Sequence, residues 1–340
     1  MTTSLEWHLV RRPHGEPTDD DFALVETPLP PLAAGQVRVR NTAFSVDPYM
    51  RGRMNDAKSY ATPYELNAPM HGGAVGIVEE ISDAVTDSAG REVHVGDTVL
   101  HGFGWRTTVQ LSSTWVRVID TDLAPASAYL GVLGMPGYTA YRGLLQVAEF
   151  APGDTVFVSA AAGAVGSLVG QIARLKGAKR VIGSAGDPEK CAWLTDELGF
   201  DAAVDYRAQP IRKGLREAAP DGIDVYFDNV GGDHLEAAIH AMNDFGRAAL
   251  CGSISGYNAT APTPGPGNLF MITTKRLTLR GFIVGDDESL RGQFEQEVGG
   301  WLRDGSIVAR ETSVAGIEQG IAAFRELMGG GNVGKMIVTL

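Results

Sequence analysis

The stretch 158-VSAAAGAVGSLVGQIARLKGAK-179 decides the fold that we expect for this chain. It begins as a buried strand and continues as an amphipathic helix, because apolar residues recur at helical spacing from Val165 to Leu175 before Gly177 ends the pattern. The turn between them reads AAGAVG, which is a glycine-rich dinucleotide turn with Ala161 in place of its first glycine. Such a turn lets backbone N–H groups approach a pyrophosphate at the helix N-terminus. It predicts a dinucleotide site, and the alternative is a tight crossover that holds no ligand.

Strand and helix patterns alternate on either side of this turn, which predicts an α/β fold with a doubly wound parallel sheet. The expected strands are 155–160, 180–183, 203–205, 223–228, 247–251 and 277–284. The expected helices are 163–176, 187–198, 211–219, 233–244 and 289–303. Residues 1 to about 130 instead contain short apolar runs, including 115–118, that Gly and Pro interrupt often. They predict a β-rich, barrel-like unit. A helix over 316–328 and a strand over 335–340 are expected at the end of the chain.

Composition restricts the partners and the compartment. The chain has 340 residues and a formal net charge of −12, from 29 basic and 41 acidic side chains. This balance argues against nucleic acid or an anionic membrane as the main partner. The sequence MTTSLEWHLVRRPHGEPTDDD has no apolar core of a secretory signal, and no run of 18 apolar residues exists. We therefore expect a cytoplasmic protein with a small-molecule substrate.

The end of the second strand of the α/β part indicates which dinucleotide is bound. An NAD site usually has an acidic residue there to bind the ribose 2′-hydroxyl, but this strand ends in 183-GSAG-186. Asp187 follows, and we assign it to capping the next helix. Small residues up to Gly186, together with Lys190, Tyr206 and Arg207, suit a 2′-phosphate. The sequence therefore favours NADP(H), although ordinary surface solvation is an alternative for each cation.

Several motifs together resemble the zinc-independent medium-chain dehydrogenase/reductases, and most of all their NADPH-dependent alkenal/one double-bond reductases, also called the prostaglandin reductase or leukotriene B4 dehydrogenase group. They occur in order along most of the chain. The motifs are 47-DPYMR-51, 135-MPGYTAY-141, 160-AAAGAVG-166, 227-FDNVGG-232, 251-CGSIS-255 and 332-NVGK-335.

The resemblance implies a GroES-like substrate domain over 1–131, a Rossmann domain over 132–305, a return to the first domain over 306–340, and a cleft between the domains. It also implies a homodimer that joins two Rossmann sheets edge to edge. Ala162, Gly163, Ala164, Val165 and Gly166 would hold the pyrophosphate, and Lys190 and Tyr206 the 2′-phosphate. The implied nicotinamide side contains Met135, Asn229, Cys251, Gly252, Ser253, Ile254, Tyr257, Phe282, Ile283 and Val284. Thr139 would also bind the cofactor, and Asn332 would close over it. Tyr49 and Tyr257 would line the substrate cleft.

A zinc alcohol dehydrogenase is disfavoured by the same sequence. Both cysteines, Cys191 and Cys251, lie in the predicted nucleotide domain, and the seven histidines form no spaced ligand set. His71 stands one place from the position of a zinc-ligating histidine, and we expect it to line the cleft without a metal. No family pattern assigns a role to His71 or to loop 103–107.

The expected reaction is NADPH-dependent reduction of the C=C bond of α,β-unsaturated aldehydes and ketones, an oxidoreductase reaction on a CH–CH group. Hydride adds to the β-carbon, and negative charge develops on the carbonyl oxygen as an enolate. Tyr257 is the expected hydrogen-bond donor to that oxygen, with an apolar cleft wall as the alternative role. Tyr49 is expected to act as a wall or gate. Two other functions remain open: an NADPH quinone oxidoreductase of the same superfamily, and a binding protein that senses NADPH without turnover.

Overall fold

The computed structural model describes residues 2–340 and divides into two compact units. The first unit contains the described residues up to Leu130 together with Glu311–Leu340, and the second is Gly131–Arg310. The predicted divisions were 131/132 and 305/306. No helix among the described residues has the length and apolar character needed to cross a membrane.

The first unit is built mainly from β-strands. Its N-terminal part contains β1 (Thr3–Leu9), β2 (Phe22–Pro28), β3 (Gln36–Ser45), α1 (Met50–Arg53), β4 (Ala74–Ile81), β5 (Val85–Thr86), β6 (Glu92–Val93), β7 (Thr98–His101), β8 (Thr108–Ser112) and β9 (Arg117–Val118). The predicted strand 115–118 is shorter than expected, because a 3₁₀ turn occupies Ser113–Trp115.

The second unit alternates helices with strands. It contains α2 (Met135–Arg142), which a π-type turn extends over Gly143–Val147, then β10 (Thr155–Val158), α3 (Gly166–Leu175), β11 (Arg180–Ala185), α4 (Pro188–Asp196), β12 (Ala202–Asp205), α5 (Ile211–Ala218), β13 (Ile223–Asp228), α6 (Gly232–Ala241), β14 (Met242–Leu250), α7 (Phe270–Thr274), β15 (Thr278–Gly281) and α8 (Arg291–Arg303). The chain then returns to the first unit with β16 (Glu311–Ala315), α9 (Gly320–Met328) and β17 (Lys335–Thr339).

The strand order confirms the α/β prediction. The six strands of the second unit are all parallel, in the order β12-β11-β10-β13-β14-β15. This is the doubly wound order, with β10 and β13 at its centre. The first unit has a seven-stranded sheet in the order β16-β17-β3-β4-β7-β9, with β8 paired to β3. The predicted β-rich domain is therefore also confirmed.

Two predicted elements extend three residues beyond the observed ends. The helix expected over 233–244 ends at Ala241, because Met242 already pairs with Ile223 in the sheet. A register shift follows in this pair of strands, and Phe245 has a φ of 66°. The strand expected over 277–284 ends at Gly281, and Val284 begins a 3₁₀ turn. Apolar composition alone does not distinguish a strand from a bulge or a turn.

Candidate functional site

The predicted cofactor residues of the second unit follow successive parallel strands. The turn 161–166 follows β10, Gly186 follows β11, Tyr206 follows β12, and Asn229 follows β13. Cys251 and Phe282 begin the segments after β14 and β15. Because all six strands run in the same direction, these segments lie together at the carboxyl ends of the strands of one sheet. Ligands of open α/β sheets bind at these carboxyl ends.

The glycine turn is shaped by close backbone packing. Ala160 has a φ of 48°, which is uncommon for a residue with a side chain, and its carbonyl accepts a hydrogen bond from Gly163 N at 3.0 Å. A Cβ atom added at Gly166 would lie 2.4 Å from that same carbonyl oxygen, so only glycine fits there. Helix α3 begins at Gly166 without a side-chain cap. The positive end of the helix dipole at this N-terminus therefore suits an anionic ligand such as a pyrophosphate.

A cationic group lies at the ends of β11 and β12. A Cβ atom added at Gly186 would be 2.7 Å from Tyr206 Oη and 3.3 Å from Arg207 Nε, which shows how closely these three residues approach. Asp187 Oδ1 accepts a hydrogen bond from Lys190 N at 2.8 Å, which confirms that Asp187 caps α4. Lys190 Nζ lies 3.5 Å from Asp187 Oδ2. The Tyr206 phenol and the Arg207 guanidinium thus meet at Gly186, and the Lys190 ammonium lies beside the next residue, Asp187. Donors of these kinds suit a phosphate monoester.

Ser184, the serine of the strand end 183-GSAG-186, lies in the protein interior. Ser184 is fully buried, and its hydroxyl has no hydrogen-bond partner among the described residues. The hydroxyl of Ser184 is therefore not exposed to a ligand, although it stands in the strand end 183-GSAG-186.

Backbone hydrogen bonds join the turns after β13 and β14. The Asp228 carbonyl accepts from Cys251 N at 2.8 Å and from Gly252 N at 3.0 Å. Ile254 N donates to the Asn229 carbonyl at 3.2 Å. The predicted residues Asn229 and 251–254 therefore form one continuous surface.

Tyr257 lies against this surface. Its hydroxyl is 3.4 Å from Ser253 N, and a Cβ atom added at Gly252 would be 3.2 Å from the same oxygen. Burial raises the pKa of Tyr257, and the charge of Asp228 contributes to the shift. The phenol is therefore protonated at neutral pH and can donate a hydrogen bond. Burial also raises the pKa of Cys251 to about 12, so that this side chain is a neutral thiol.

The helix α2 holds the segment after β15. Arg142 Nη1 donates to the Ile283 carbonyl at 2.7 Å, and the guanidinium carbon lies 5.8 Å from the centre of the Phe282 ring. Thr139, on the same helix, is buried and donates to the Met135 carbonyl at 2.8 Å. Residues 282–284 therefore have a fixed backbone. No sequence motif identified Arg142, although it stands next to the motif 135–141.

Tyr49 and Asn332 lie in the first unit. Tyr49 precedes α1 and packs against a buried apolar cluster, and burial raises the pKa of its hydroxyl strongly. Asn332 is buried and donates to the Gly334 carbonyl at 2.8 Å. Both side chains are thus held by their own unit.

His71 is a neutral histidine in the first unit. Its Nδ1 lies 3.3 Å from Arg106 Nη2, and its ring meets Phe103 edge-on at 5.3 Å. Burial, and then the charge of Arg106, lower the pKa of His71 to about 4. Trp105, from the unassigned loop 103–107, is fully buried.

Metal ligands are not grouped in the described part of the chain. Residues 2–340 contain no set of three or more His, Cys, Asp or Glu side chains that could hold a metal ion, and Cys191 and Cys251 are free thiols. The residues described therefore do not fit a zinc ion.

Comparisons with known proteins cover nearly the whole chain. A family model described as the N-terminal domain of oxidoreductase matches residues 5–119, and one described as zinc-binding dehydrogenase matches residues 164–299. The chain is 40% identical to the NADPH-dependent curcumin reductase of Escherichia coli (strain K12), over 98% of this chain and 95% of that protein. It is 41% identical to prostaglandin reductase 1 of Bos taurus, over 99% of each. The crystal structure of CurA from Vibrio vulnificus in complex with NADPH superimposes with a TM-score of 0.90, at 42% identity and 99% coverage of both chains.

Proposed function

Because the chain belongs to the zinc-independent medium-chain dehydrogenase/reductases, in their NADPH-dependent alkenal/one double-bond reductase group, we propose that it reduces the C=C bond of α,β-unsaturated aldehydes and ketones with NADPH. The observation that carries this function is the identity of 40% and 41%, over almost the full length, to a curcumin reductase and a prostaglandin reductase. The cationic group around Gly186 supports the phosphorylated cofactor independently.

The cofactor site lies at the carboxyl ends of the strands of the parallel sheet. The N-terminus of α3 and the turn 162–166 would bind the pyrophosphate, because the positive end of the helix dipole favours an anion. Lys190, Tyr206 and Arg207 bind the 2′-phosphate. The nicotinamide side of the site is formed by Asn229, residues 251–254 and residues 282–284. From family position, Met135, Thr139 and Asn332 also contribute to it. When bound, NADPH supplies the hydride that adds to the substrate β-carbon.

The protein stabilises the charge that this addition creates. As the C–H bond forms at the β-carbon, the C=C electron pair moves toward the carbonyl, and the oxygen becomes an enolate. The protonated Tyr257 hydroxyl donates a hydrogen bond to that oxygen, and a solvent proton completes the reaction at the α-carbon. Tyr49, buried against its own domain core, acts as a wall rather than as an acid.

A substrate comparison tests this function. Purified protein is mixed with NADPH and either a simple enone or a simple quinone, and the loss of NADPH absorbance is followed by stopped flow. We expect turnover with the enone and at least about tenfold lower kcat/KM with the quinone. Faster turnover of the quinone would favour a quinone reductase, and binding of NADPH without turnover on a broad enone panel would favour a sensor.

We also propose that the protein is a homodimer in the cytoplasm. Strand β15 is an edge strand of the parallel sheet and is largely exposed. Nearby in sequence, Leu269 is 52% exposed and Phe270 is 76% exposed. An open edge beside exposed apolar side chains suits pairing with a second copy. Free thiols at Cys191 and Cys251 are typical of a reducing compartment.

Sedimentation velocity tests the dimer. The wild type is expected to sediment as a dimer and Phe270→Asp as a monomer. Val95→Asp, at an exposed apolar position of the first unit, is the control that leaves the dimer intact. A monomeric wild type would refute the dimer.

Cell fractionation tests the proposed location in the cytoplasm, and recovery of the protein with the membrane fraction would contradict that location.

A further inference from the structure

A buried carboxylate stands at the end of β13, where the nicotinamide side begins. Asp228 is 2% exposed. Its Oδ1 accepts hydrogen bonds from Tyr226 Oη at 2.6 Å, Ser159 Oγ at 3.2 Å, Val230 N at 2.9 Å and Gly231 N at 2.8 Å. Two side chains, from Ser159 after β10 and from Tyr226 in β13, and two backbone groups of the turn after β13 thus converge on one oxygen atom.

The same residue organises two neighbouring turns. The carboxylate fixes the turn 229–231, and the Asp228 backbone carbonyl binds the N–H groups of Cys251 and Gly252. The turns are close, since a Cβ atom added at Gly231 would lie 2.4 Å from Ser253 Oγ, and Gly231 has a φ of 71°. Movement of Asp228 would therefore displace both turns together.

Ser159 completes the support of Asn229. Its hydroxyl accepts from Asn229 N at 2.9 Å, and its carbonyl accepts from Asn229 Nδ2 at 2.8 Å. Tyr226 is also fixed, because its ring stacks on Phe157 at a centroid distance of 5.1 Å and an angle of 11°. The donors around the carboxylate are rigid, so the position of its charge is rigid as well.

The charge of Asp228 acts on its surroundings. All four groups that donate to Oδ1 are neutral. The charge adds to burial in raising the pKa of Cys251 and of Tyr257, two residues of the proposed nicotinamide and substrate surface. The charge of Asp228 also opposes the lowering of the pKa of His234 by burial. A buried charge is weakly screened and acts over a longer range than a surface charge.

We propose that Asp228 is a positioning residue that fixes the nicotinamide side of the site, and that its buried negative charge favours the positively charged oxidised nicotinamide over the neutral reduced one. This inference rests on the proposed NADPH-dependent function. The consequence of this preference would be a stronger driving force for the hydride transfer that bound NADPH would supply. The preference is measurable at equilibrium, without turnover, as the ratio of the dissociation constants of NADP⁺ and NADPH.

The test compares Asp228→Asn with wild type. The substitution keeps the shape and the Oδ1 acceptor but removes the charge. We expect the Kd of NADP⁺ to rise about tenfold more than the Kd of NADPH, equivalent to about 1.4 kcal/mol. The Kd of adenosine 2′,5′-bisphosphate, which lacks a nicotinamide, should change by less than about twofold. Titration calorimetry or intrinsic fluorescence gives all three constants.

Two controls separate charge from structure. Tyr226→Phe removes the 2.6 Å donor but keeps the charge, so the NADP⁺/NADPH ratio should stay within about twofold of wild type. Asp233→Asn removes an exposed carboxylate on α6 and should also leave the ratio unchanged. If Asp228→Asn does not fold, Asn229→Asp adds a charge at the next residue and should lower the ratio instead.

The outcomes distinguish the two claims. An unchanged NADP⁺/NADPH ratio in folded Asp228→Asn, or in Asn229→Asp if that variant replaces it, would overturn the charge assignment while leaving the reductase function intact. An equal shift of the ratio in Tyr226→Phe and Asp228→Asn would also overturn it. A wild type that binds neither nucleotide would refute the proposed function itself.

Discussion

Replacing Lys190 by alanine should remove much of the difference between the affinities of the protein for NADPH and for NADH. The Lys190 side chain is only 11% exposed, and its ammonium lies 3.5 Å from Asp187 Oδ2. A bound 2′-phosphate would add a second anion beside this ammonium. NADH has a hydroxyl at that position and gains much less from the cation.

The magnitude follows from the contacts that the substitution removes. A hydrogen bond to a charged group contributes about 1.5–3 kcal/mol, so the Kd of NADPH should rise about tenfold to a hundredfold. The Kd of NADH should change by less than about threefold. Helix α4 should remain intact, because its cap uses the Lys190 backbone N–H, and alanine is a good helix former.

Direct binding is the suitable assay, with NADPH and NADH titrated against each variant by fluorescence or calorimetry. Lys213→Ala on α5 is a matched control, since this lysine pairs only with Glu217, at 3.9 Å across one helical turn, among the ion pairs found in residues 2–340. Equal loss of NADPH and NADH affinity in Lys190→Ala would refute the 2′-phosphate assignment. So would an unchanged Kd for NADPH.

Three further predictions test the chemistry, the turn and the pH response. Tyr257→Phe should lower kcat on a small enone about tenfold to a hundredfold, with KM changed much less, because one donor to the developing oxyanion is lost. Gly166→Ala should lower the Tm and abolish NADPH binding, because its Cβ would lie 2.4 Å from the Ala160 carbonyl oxygen. Calorimetry of the protein with and without NADPH would detect both changes. Burial lowers the pKa of His101 to about 3, against an ordinary value of about 6.5. The unfolded state therefore takes up a proton first, so the free energy of unfolding should fall by about 1–3 kcal/mol from this residue between pH 7 and pH 4, and His101→Gln should remove that part of the slope in urea titrations.

Matched variants define what would contradict these expectations. An unchanged kcat in Tyr257→Phe would exclude Tyr257 from the chemistry. Substitution of Gly52, where an added Cβ meets no atom within 4 Å, should be tolerated, and an equal loss of Tm there would weaken the argument from packing. An unaltered slope in His101→Gln would contradict the assigned cause.

The sequence predicts the parallel sheet well because each strand and helix there has its own local pattern. The turn 161–166, the cap at Asp187 and the strand Ile223–Asp228 depend on neighbouring residues alone, and the structure has the cap and the strand as predicted. The helix expected over 233–244 was wrong at its end, because pairing of Met242 with Ile223 is a tertiary contact. Periodicity in one segment contains no information on such pairing.

The Asp228 network was missed for a similar reason. One of its donors, Ser159, lies 69 positions away in the sequence, and no local pattern joins residues that far apart. One signal was present: an acid directly after the apolar run of β13 has to be satisfied by donors if the strand is buried. Arg142 was missed likewise, because its partner Ile283 is remote in sequence.

Transfer of an isotope from cofactor to product tests the central claim most directly. The purified protein is incubated with an enone and NADPH that carries deuterium at the transferable C4 position, and the product is analysed by NMR and mass spectrometry. The account predicts a saturated ketone with one deuterium at the β-carbon and a solvent proton at the α-carbon. Deuterium at the former carbonyl carbon, with the C=C bond retained, would contradict it.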